Sequence, residues 1–284
     1  MIKELRESSG ASLRRICSVL GLPRSTYHHK PRPPAQPWPD QELAALISTI
    51  FHANRRCYGY RRIACELANR GVSCGWQRAR RMMRRQGLHA IQRRRFTPKT
   101  SDGKASHPCA NLLAKLPPPQ APDQVWAGDI TLIPSREGWL YLAVVIDLWS
   151  RRIIGWSLSR SIDRALVTDA LRQALQSRRK IVSTIFHSDR GSQYSSTAFR
   201  AMLAGSGLRQ SMSRLANPYD NARTESFMGT LKAEMAEEET FRNLDEARQK
   251  IFSYIDAFYN PRRLHSSIGY LSPNQFEARF QRQK

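Results

Sequence analysis

Acidic side chains are scarce in this 284-residue chain: 23 Asp and Glu stand against 46 Lys and Arg, a net charge of +23. Such a balance excludes a surface that repels polyanions and points to phosphate backbones as partners. No run approaches eighteen apolar residues, so no membrane-spanning helix and no membrane partner are expected. The opening Met1-Ile2-Lys3-Glu4-Leu5-Arg6 lacks the apolar block of a secretory signal, and a cytoplasmic protein is expected. Cysteines are few. Cys17, Cys57, Cys65, Cys74 and Cys109 are odd in number and include no CxxC pair, which excludes a zinc finger and leaves reduced, mostly packing thiols. No internal repeat is visible. What is present is 40% hydrophobic residues, enough to exclude wholesale disorder and to fill two compact domains.

The charge is concentrated at the front. Residues 1 to 100 hold 21 Lys and Arg against 5 Asp and Glu, and arginine predominates, which favours bidentate phosphate contacts over point charges. Within residues 11 to 30, Leu13, Ile16, Val19 and Leu20 have helical spacing before Gly21-Leu22-Pro23. A short helix-turn-helix or a simple helical hairpin fits, followed by a proline-rich linker to Pro39. From Asp40 the helical period returns through Leu43, Leu46, Ile47 and Ile50, then Ile63 and Leu67. A third helix spans about 75 to 86, with Trp76, Ala79 and Met83 expected as its core stripe. Arg78, Arg81 and Arg85 flank that stripe on one side and Arg80 and Arg84 on the other. A helix-turn-helix presenting this helix to the major groove fits, and so does an arginine-rich solvated helix in a bundle. Arg93, Arg94 and Arg95 extend the basic strip as an arm.

Residues 97 to 124, with Leu116-Pro117-Pro118-Pro119, read as a spacer. Beyond it the period changes to that of strands: 124 to 134, 138 to 148 and 152 to 159, joined by turns short enough for antiparallel hairpins. An amphipathic helix over 162 to 176 follows, with Ile162, Ala165, Leu166, Leu171, Ala174 and Leu175 inward. A buried strand over 181 to 186, a helix over 195 to 204, a short strand over 210 to 212 and helices over 221 to 236 and 244 to 259 complete the pattern. The fold class expected is α/β, a ribonuclease H-like mixed sheet preceded by all-α helix-turn-helix modules. The domains expected are 1–39, 40–96, a linker over 97–123 and a core over 124–284.

Three acids stand out in that core. Asp129 falls mid-strand, Asp189 follows an apolar strand at its carboxyl end with Gly191 beside it, and Glu225 lies in the first turns of a helix that Asp220 or Asn221 caps. Phe227, Met228, Leu231 and Met235 form that helix's core stripe and leave Glu225 at its edge. Converged carboxylates repel one another unless cations hold them. Two Mg²⁺ ions about 3.5–4 Å apart can activate an attacking oxygen and stabilise a leaving one. Each needs only one or two protein carboxylates. Lys232 sits seven residues after Glu225, about 10.5 Å further along nearly the same azimuth. It is either a DNA-backbone contact or a plain solvent lysine. The D…D…E spacing alone is weak, because acids fall at such intervals by chance, and Asp147 and Asp220 compete for the same reading.

The local contexts decide. Val125-Trp126-Ala127-Gly128-Asp129-Ile130-Thr131, His187-Ser188-Asp189-Arg190-Gly191-Ser192-Gln193-Tyr194 and Tyr219-Asp220-Asn221 with Glu225-Ser226-Phe227 closely resemble the DDE transposases of the insertion-sequence-three family. So do Thr230-Leu231-Lys232, Tyr58-Gly59-Tyr60-Arg61-Arg62-Ile63 and the tail from Tyr259 to Pro273. The resemblance covers roughly residues 55 to 280. It implies a bacterial transposase with an integrase catalytic core, in which Asp129, Asp189 and Glu225 hold two Mg²⁺ ions, Mn²⁺ being able to substitute. Lys232 is then the basic residue after the glutamate. It also implies DNA 3′-end cleavage and strand transfer by a copy-out, paste-in route, and a nucleoid-associated protein. Its partners would be the element's terminal inverted repeats, target DNA and the upstream reading-frame product, with a homo-oligomer on paired ends. The alternatives are a non-catalytic DNA-binding module and a nuclease that cuts without joining.

Overall fold

The computed structural model describes residues 2–23, 40–91, 107–178, 181–214, 222–235 and 240–283. The chain forms two compact units, Met1–Leu43 and Ala44–Lys284. In the first, α1 (Ile2–Ser9) precedes α2 (Leu13–Val19), whose N-cap Ser12 accepts the Arg15 amide and which buries Ile16 and Cys17. The second half of the helical pair expected over 11–30, the proline-rich stretch 31–39 and the arm carrying Arg93, Arg94 and Arg95 lie outside the described residues.

Three helices follow: α3 (Asp40–Ala53), α4 (Tyr60–Asn69) and α5 (Trp76–Arg85). Their three- and four-residue apolar spacing buries Ile47, Ile50 and Phe51, then Ile63, Ala64 and Leu67, then Ala79, Met82 and Met83. The stripe expected on α5 is corrected at one position. Trp76 is 48% exposed and Met82 takes its place in the core. As the first residue of its helix, Trp76 instead receives the Arg61 guanidinium over its ring at 5.7 Å. The helical module is tied to the far end of the chain. Tyr58, fully buried, donates its hydroxyl hydrogen to the Arg262 carbonyl at 3.1 Å and accepts the Leu264 amide at 2.9 Å.

The stretch read from sequence as a spacer has structure in its described part. Asn111 caps a 3₁₀ turn at Leu112–Lys115, the Leu112 amide donates to Ser211 Oγ at 2.9 Å, and Cys109 packs on the apolar core.

The sheet comprises β1 (Val125–Ser135), β2 (Gly138–Asp147), β3 (Ile153–Ser159), then β4 (Ile185–Ser188) and β5 (Arg209–Met212), ordered β3-β2-β1-β4-β5. The first three pair antiparallel; β4 and β5 are parallel to β1. This is the mixed, ribonuclease H-like sheet expected. Between β3 and β4 runs α6 (Arg164–Ser177), and between β4 and β5 lie the short α7 (Ser192–Ser195) and α8 (Thr197–Gly205). On this face Trp126 and Ile130 of β1 meet Leu166, Val167, Ala170, Leu171 and Ala174 of α6. Ala165, expected inward, is exposed, and Val167 and Ala170 fill the stripe instead. The buried strand expected from residue 181 begins only at Ile185, because Val182 is 80% exposed and Ser183 takes a positive φ of 56°.

Side chains alternate along a strand, so Asp129 points to the other face. There α9 (Ala222–Met235) packs on β1 and α10 (Leu244–Tyr254) on β3. The helix expected to run to Tyr259 changes at Ile255 into a π-helical turn. Just beyond, Asn260 spends its side chain on the Ile153 backbone, accepting at 3.0 Å and donating at 2.9 Å. A final helix, α11 (Pro273–Arg282), absent from the sequence-based expectation, starts from a capping box of Ser272 and Gln275.

Candidate active site

The parallel pairing of β1 and β4 brings two of the three acids together. Val125 lies opposite Ile185, Trp126 opposite Phe186 and Ala127 opposite His187. Asp129 lies two residues beyond Ala127 on β1 and Asp189 one residue beyond the end of β4, so both acids follow the paired stretch at the same end of the sheet. The glycines of the two motifs have identifiable tasks. A Cβ on Gly128 would stand 2.7 Å from Phe186 Cζ and 3.1 Å from Tyr194 Cε1, so only glycine lets those rings close under β1. The Gly191 amide donates to Asp189 Oδ1 at 3.0 Å, fixing the turn that leaves β4.

Glu225 is on the first turn of α9, exposed beside the sheet end, while Phe227, Met228, Leu231 and Met235 form the buried stripe expected. The residues before it, including both candidate caps Asp220 and Asn221, lie outside the described residues. Electrostatics links the three acids. Burial, then Asp189 and Glu225, lift the Asp129 pKa to about 8, against the lowering effects of the Ile130 amide and Lys232. Glu225 is raised as well, by burial and by Asp189. Lys232 is half-buried rather than a plain solvent lysine: burial lowers its pKa and the Asp129 carboxylate opposes that shift. Among the described residues, no group of three or more His, Cys, Asp and Glu converges tightly enough to enclose one metal ion. The set is a looser group of hard oxygen donors that act on one another, with the Lys232 cation acting on Asp129.

Support residues that spacing did not single out surround this group. His187, fully buried in β4, bridges Ser211 Oγ at 2.9 Å and Ser213 Oγ at 3.1 Å, clamping the strand that delivers Asp189 to its neighbour β5. Tyr194 packs edge-on against Phe199 with ring centroids 5.4 Å apart, and its backbone carbonyl accepts Gln210 Nε2 at 2.7 Å. Both residues sit in the His187-to-Tyr194 motif, which was the only signal available. Asp147, the rival acid, is a structural group: it is fully buried at the end of β2 and holds the following turn through the Trp149 and Ser150 amides, both at 2.9 Å.

On α5, Arg80, Arg81, Arg84 and Arg85 are exposed and Arg78 is half-buried. Arg80 lies over the Tyr60 ring at 5.8 Å and Arg61 over the same ring at 5.6 Å, so aromatic faces hold part of the basic surface in place. Gly59 and Gly75 are the N-caps of α4 and α5 and, having no side chain, cap neither helix by a side-chain hydrogen bond. Among the described residues no helix is long and apolar enough to cross a membrane.

Comparison with known proteins agrees with this layout. Residues 38–96 match the HTH-like domain family, and residues 119–218 and 206–273 match integrase core domain families. The transposase InsF of insertion sequence IS3A from Escherichia coli K12 is 39% identical over 270 residues, 94% of each chain. The transposase of insertion sequence element IS904 from Lactococcus lactis is 41% identical over 246 residues, 87% of this chain and 97% of that one. The 31 kDa protein of insertion element IS600 from Shigella sonnei is 39% identical over 269 residues, 93% and 98% of the two chains. A chain of a simian T-cell lymphotropic virus intasome superposes with a TM-score of 0.47 at 14% identity over 83% of this chain and 74% of that one, a likeness too distant to add weight. Full-length similarity at this level leaves one conclusion: the chain belongs to the IS3-type insertion-sequence transposases and is a DNA transposase with an integrase core.

Proposed function

We propose that Asp129, Asp189 and Glu225 are the catalytic acids of this transposase and hold two divalent cations, Mg²⁺ or in its place Mn²⁺. The observation that supports the reading is the parallel pairing of β1 and β4, after which Asp129 and Asp189 follow at the same end of the sheet, while α9 packs on β1 with Glu225 on its first turn. The donor set fits. Carboxylate oxygens are the ligands magnesium prefers, and an ion that draws one or two of them does not need a closed three-acid cage. The raised pKa of Asp129 is what a desolvated acid facing two others shows until a cation relieves it. When bound, the cations would supply activation of the attacking oxygen and stabilisation of the leaving 3′-oxygen.

The chain's own residues do the rest. The β1–β4 pairing brings two carboxylates to the same end of the sheet, and the buried stripe of α9 sets the third against them. Lys232, half-buried near Asp129, is placed to hold a DNA phosphate next to the acids. Arg78, Arg80, Arg81, Arg84 and Arg85 on α5, with Arg93, Arg94 and Arg95 beyond it, grip the duplex through phosphates. The DNA is read as the element's terminal inverted repeats and its target, nicked at the 3′ end and then joined by the freed hydroxyl. Two ends must meet, so a homo-oligomer on paired ends is part of the reading. So are partnership with the upstream reading-frame product, nucleoid association and the domain limits 1–39, 40–96, 97–123 and 124–284.

The test is direct. Purified protein is incubated with end-containing DNA and Mg²⁺, and products are separated on a denaturing gel. Joining yields strands longer than the input; cleavage alone does not. Asp129→Asn, Asp189→Asn and Glu225→Gln should each abolish cleavage and joining while DNA retention persists. Full strand transfer by any of the three overturns the assignment.

A further inference from the structure

Tyr194 presents a group that packing does not explain. Its ring is 2% exposed within the cluster of Trp126, Phe186 and Phe199, where a phenylalanine would fit as well. Its hydroxyl is buried and, among the described residues, has no hydrogen-bond partner. Leaving a buried hydroxyl unpaired is costly, so a tyrosine held in this way is expected to have a partner in the working state.

The geometry narrows what that partner is. The ring lies beside the chain next to both acids. A Cβ on Gly128, the residue before Asp129, would stand 3.1 Å from Tyr194 Cε1, and one on Gly191, two residues after Asp189, 3.7 Å from Cδ2. Tyr194 is thus wedged between the backbones that carry Asp129 and Asp189, and both carboxylates lie within electrostatic reach of its hydroxyl. The π-faces of Phe186 and Phe199 offer the hydroxyl no strong acceptor. The carboxylates do.

We infer that Tyr194 is a positioning residue for the metal-binding acids: its hydroxyl donates to the carboxylate of Asp189, which lies beyond the end of β4, once that group has turned to hold a cation. A ligand carboxylate fixed through its second oxygen loses less rotational freedom on binding, and such supporting hydrogen bonds typically contribute 10–100-fold in metal affinity. Gly128 then acts together with Tyr194, because its missing side chain leaves room for the ring at this position.

The inference rests on the reading of Asp129, Asp189 and Glu225 as metal ligands, and the experiment separates the two. Mn²⁺ is titrated into the full-length wild type, Tyr194→Phe and Asp129→Asn, with free ion followed by electron paramagnetic resonance. Thermal melting is recorded in metal-free buffer alongside. Tyr194→Phe keeps the ring and its packing, so its metal-free melting temperature should equal or exceed that of the wild type. Its Mn²⁺ dissociation constant should rise at least about 10-fold, and the Mg²⁺ concentration for half-maximal strand transfer should move by the same factor with DNA retention unchanged. Wild-type Mn²⁺ affinity in Tyr194→Phe, with Asp129→Asn weakened, overturns the role of the hydroxyl alone. Wild-type affinity in Asp129→Asn overturns the metal reading and this inference with it.

Discussion

Asp129 and Asp147 stand on neighbouring strands of one sheet, and their surroundings differ in kind. Asp147 accepts the Asp123 amide at 2.7 Å, the Trp149 and Ser150 amides at 2.9 Å and the Ser150 hydroxyl at 3.2 Å. Burial lifts it only to about 6 against those donors. Asp129 accepts the Ile130 amide at 2.9 Å, faces two further acids and rises to about 8. The helix α9 repeats the contrast along its own length. Glu225 is exposed at the group of acids, whereas Glu234 near the other end is buried, with Arg263 Nε at 2.8 Å and the Tyr254 hydroxyl at 2.7 Å. Glu277 on α11 belongs with the satisfied group, bonded by Arg178 Nη1 at 3.0 Å and Arg152 Nη1 at 2.9 Å. An acid surrounded by donors holds the fold together. An acid surrounded by acids stores repulsion that a cation releases.

That contrast breaks most visibly where a satisfied acid is stripped. Arg263→Ala leaves Glu234 buried without its cation, a change that typically costs about 3–5 kcal/mol. Urea denaturation should show that loss, and a drop below about 1 kcal/mol would mean that Glu234 is not held by charge. Asp147→Ala is next. It leaves the amides of Asp123, Trp149 and Ser150 without their acceptor, and unpaired buried donors cost about 1–3 kcal/mol. Both variants should fall in stability. Asp129→Asn should not, because it removes repulsion and strands no buried donor network.

The sequence carried the part of this that is local. Alternation marked β1 to β3 to within a residue or two, and the motif residues around Asp129 and Asp189 pointed to the acids at the sheet end. What it could not carry is contact across long separations. Nothing near Tyr58 announces that its hydroxyl is spent on Arg262 and Leu264, nor near Glu234 that Arg263 lies against it. Trp76 reads as core by period, yet at the first position of α5 it lies at the edge of the helix pair and stays half exposed. Asp147 and Asp129 look alike in sequence, both closing or interrupting an apolar strand. Only the donors gathered by the turn after β2 tell them apart.

The smallest effect separates the two aspartates most cleanly, because it reads their titration directly. In metal-free buffer the folded Asp129 keeps its proton up to about pH 8, whereas an unfolded aspartate releases it near about pH 4. Between those values the folded state binds more protons than the unfolded one. The contribution is therefore complete below about pH 4 and is lost as pH climbs through the folded value. Asp147 acts in the same direction only up to about 6 and is common to wild type and Asp129→Asn, so it cancels in their difference. Calorimetry in chelator at pH 5 and pH 8.5 should show Asp129→Asn gaining on the wild type at the higher pH. Asp129 keeps a half-open side to solvent, which holds the gain below about 1 kcal/mol. Adding Mg²⁺ should then stabilise the wild type at pH 8.5 and leave Asp129→Asn nearly unmoved. Parallel curves, with and without metal, would place Asp129 among the satisfied acids and leave the group at the sheet end with no demand for a cation.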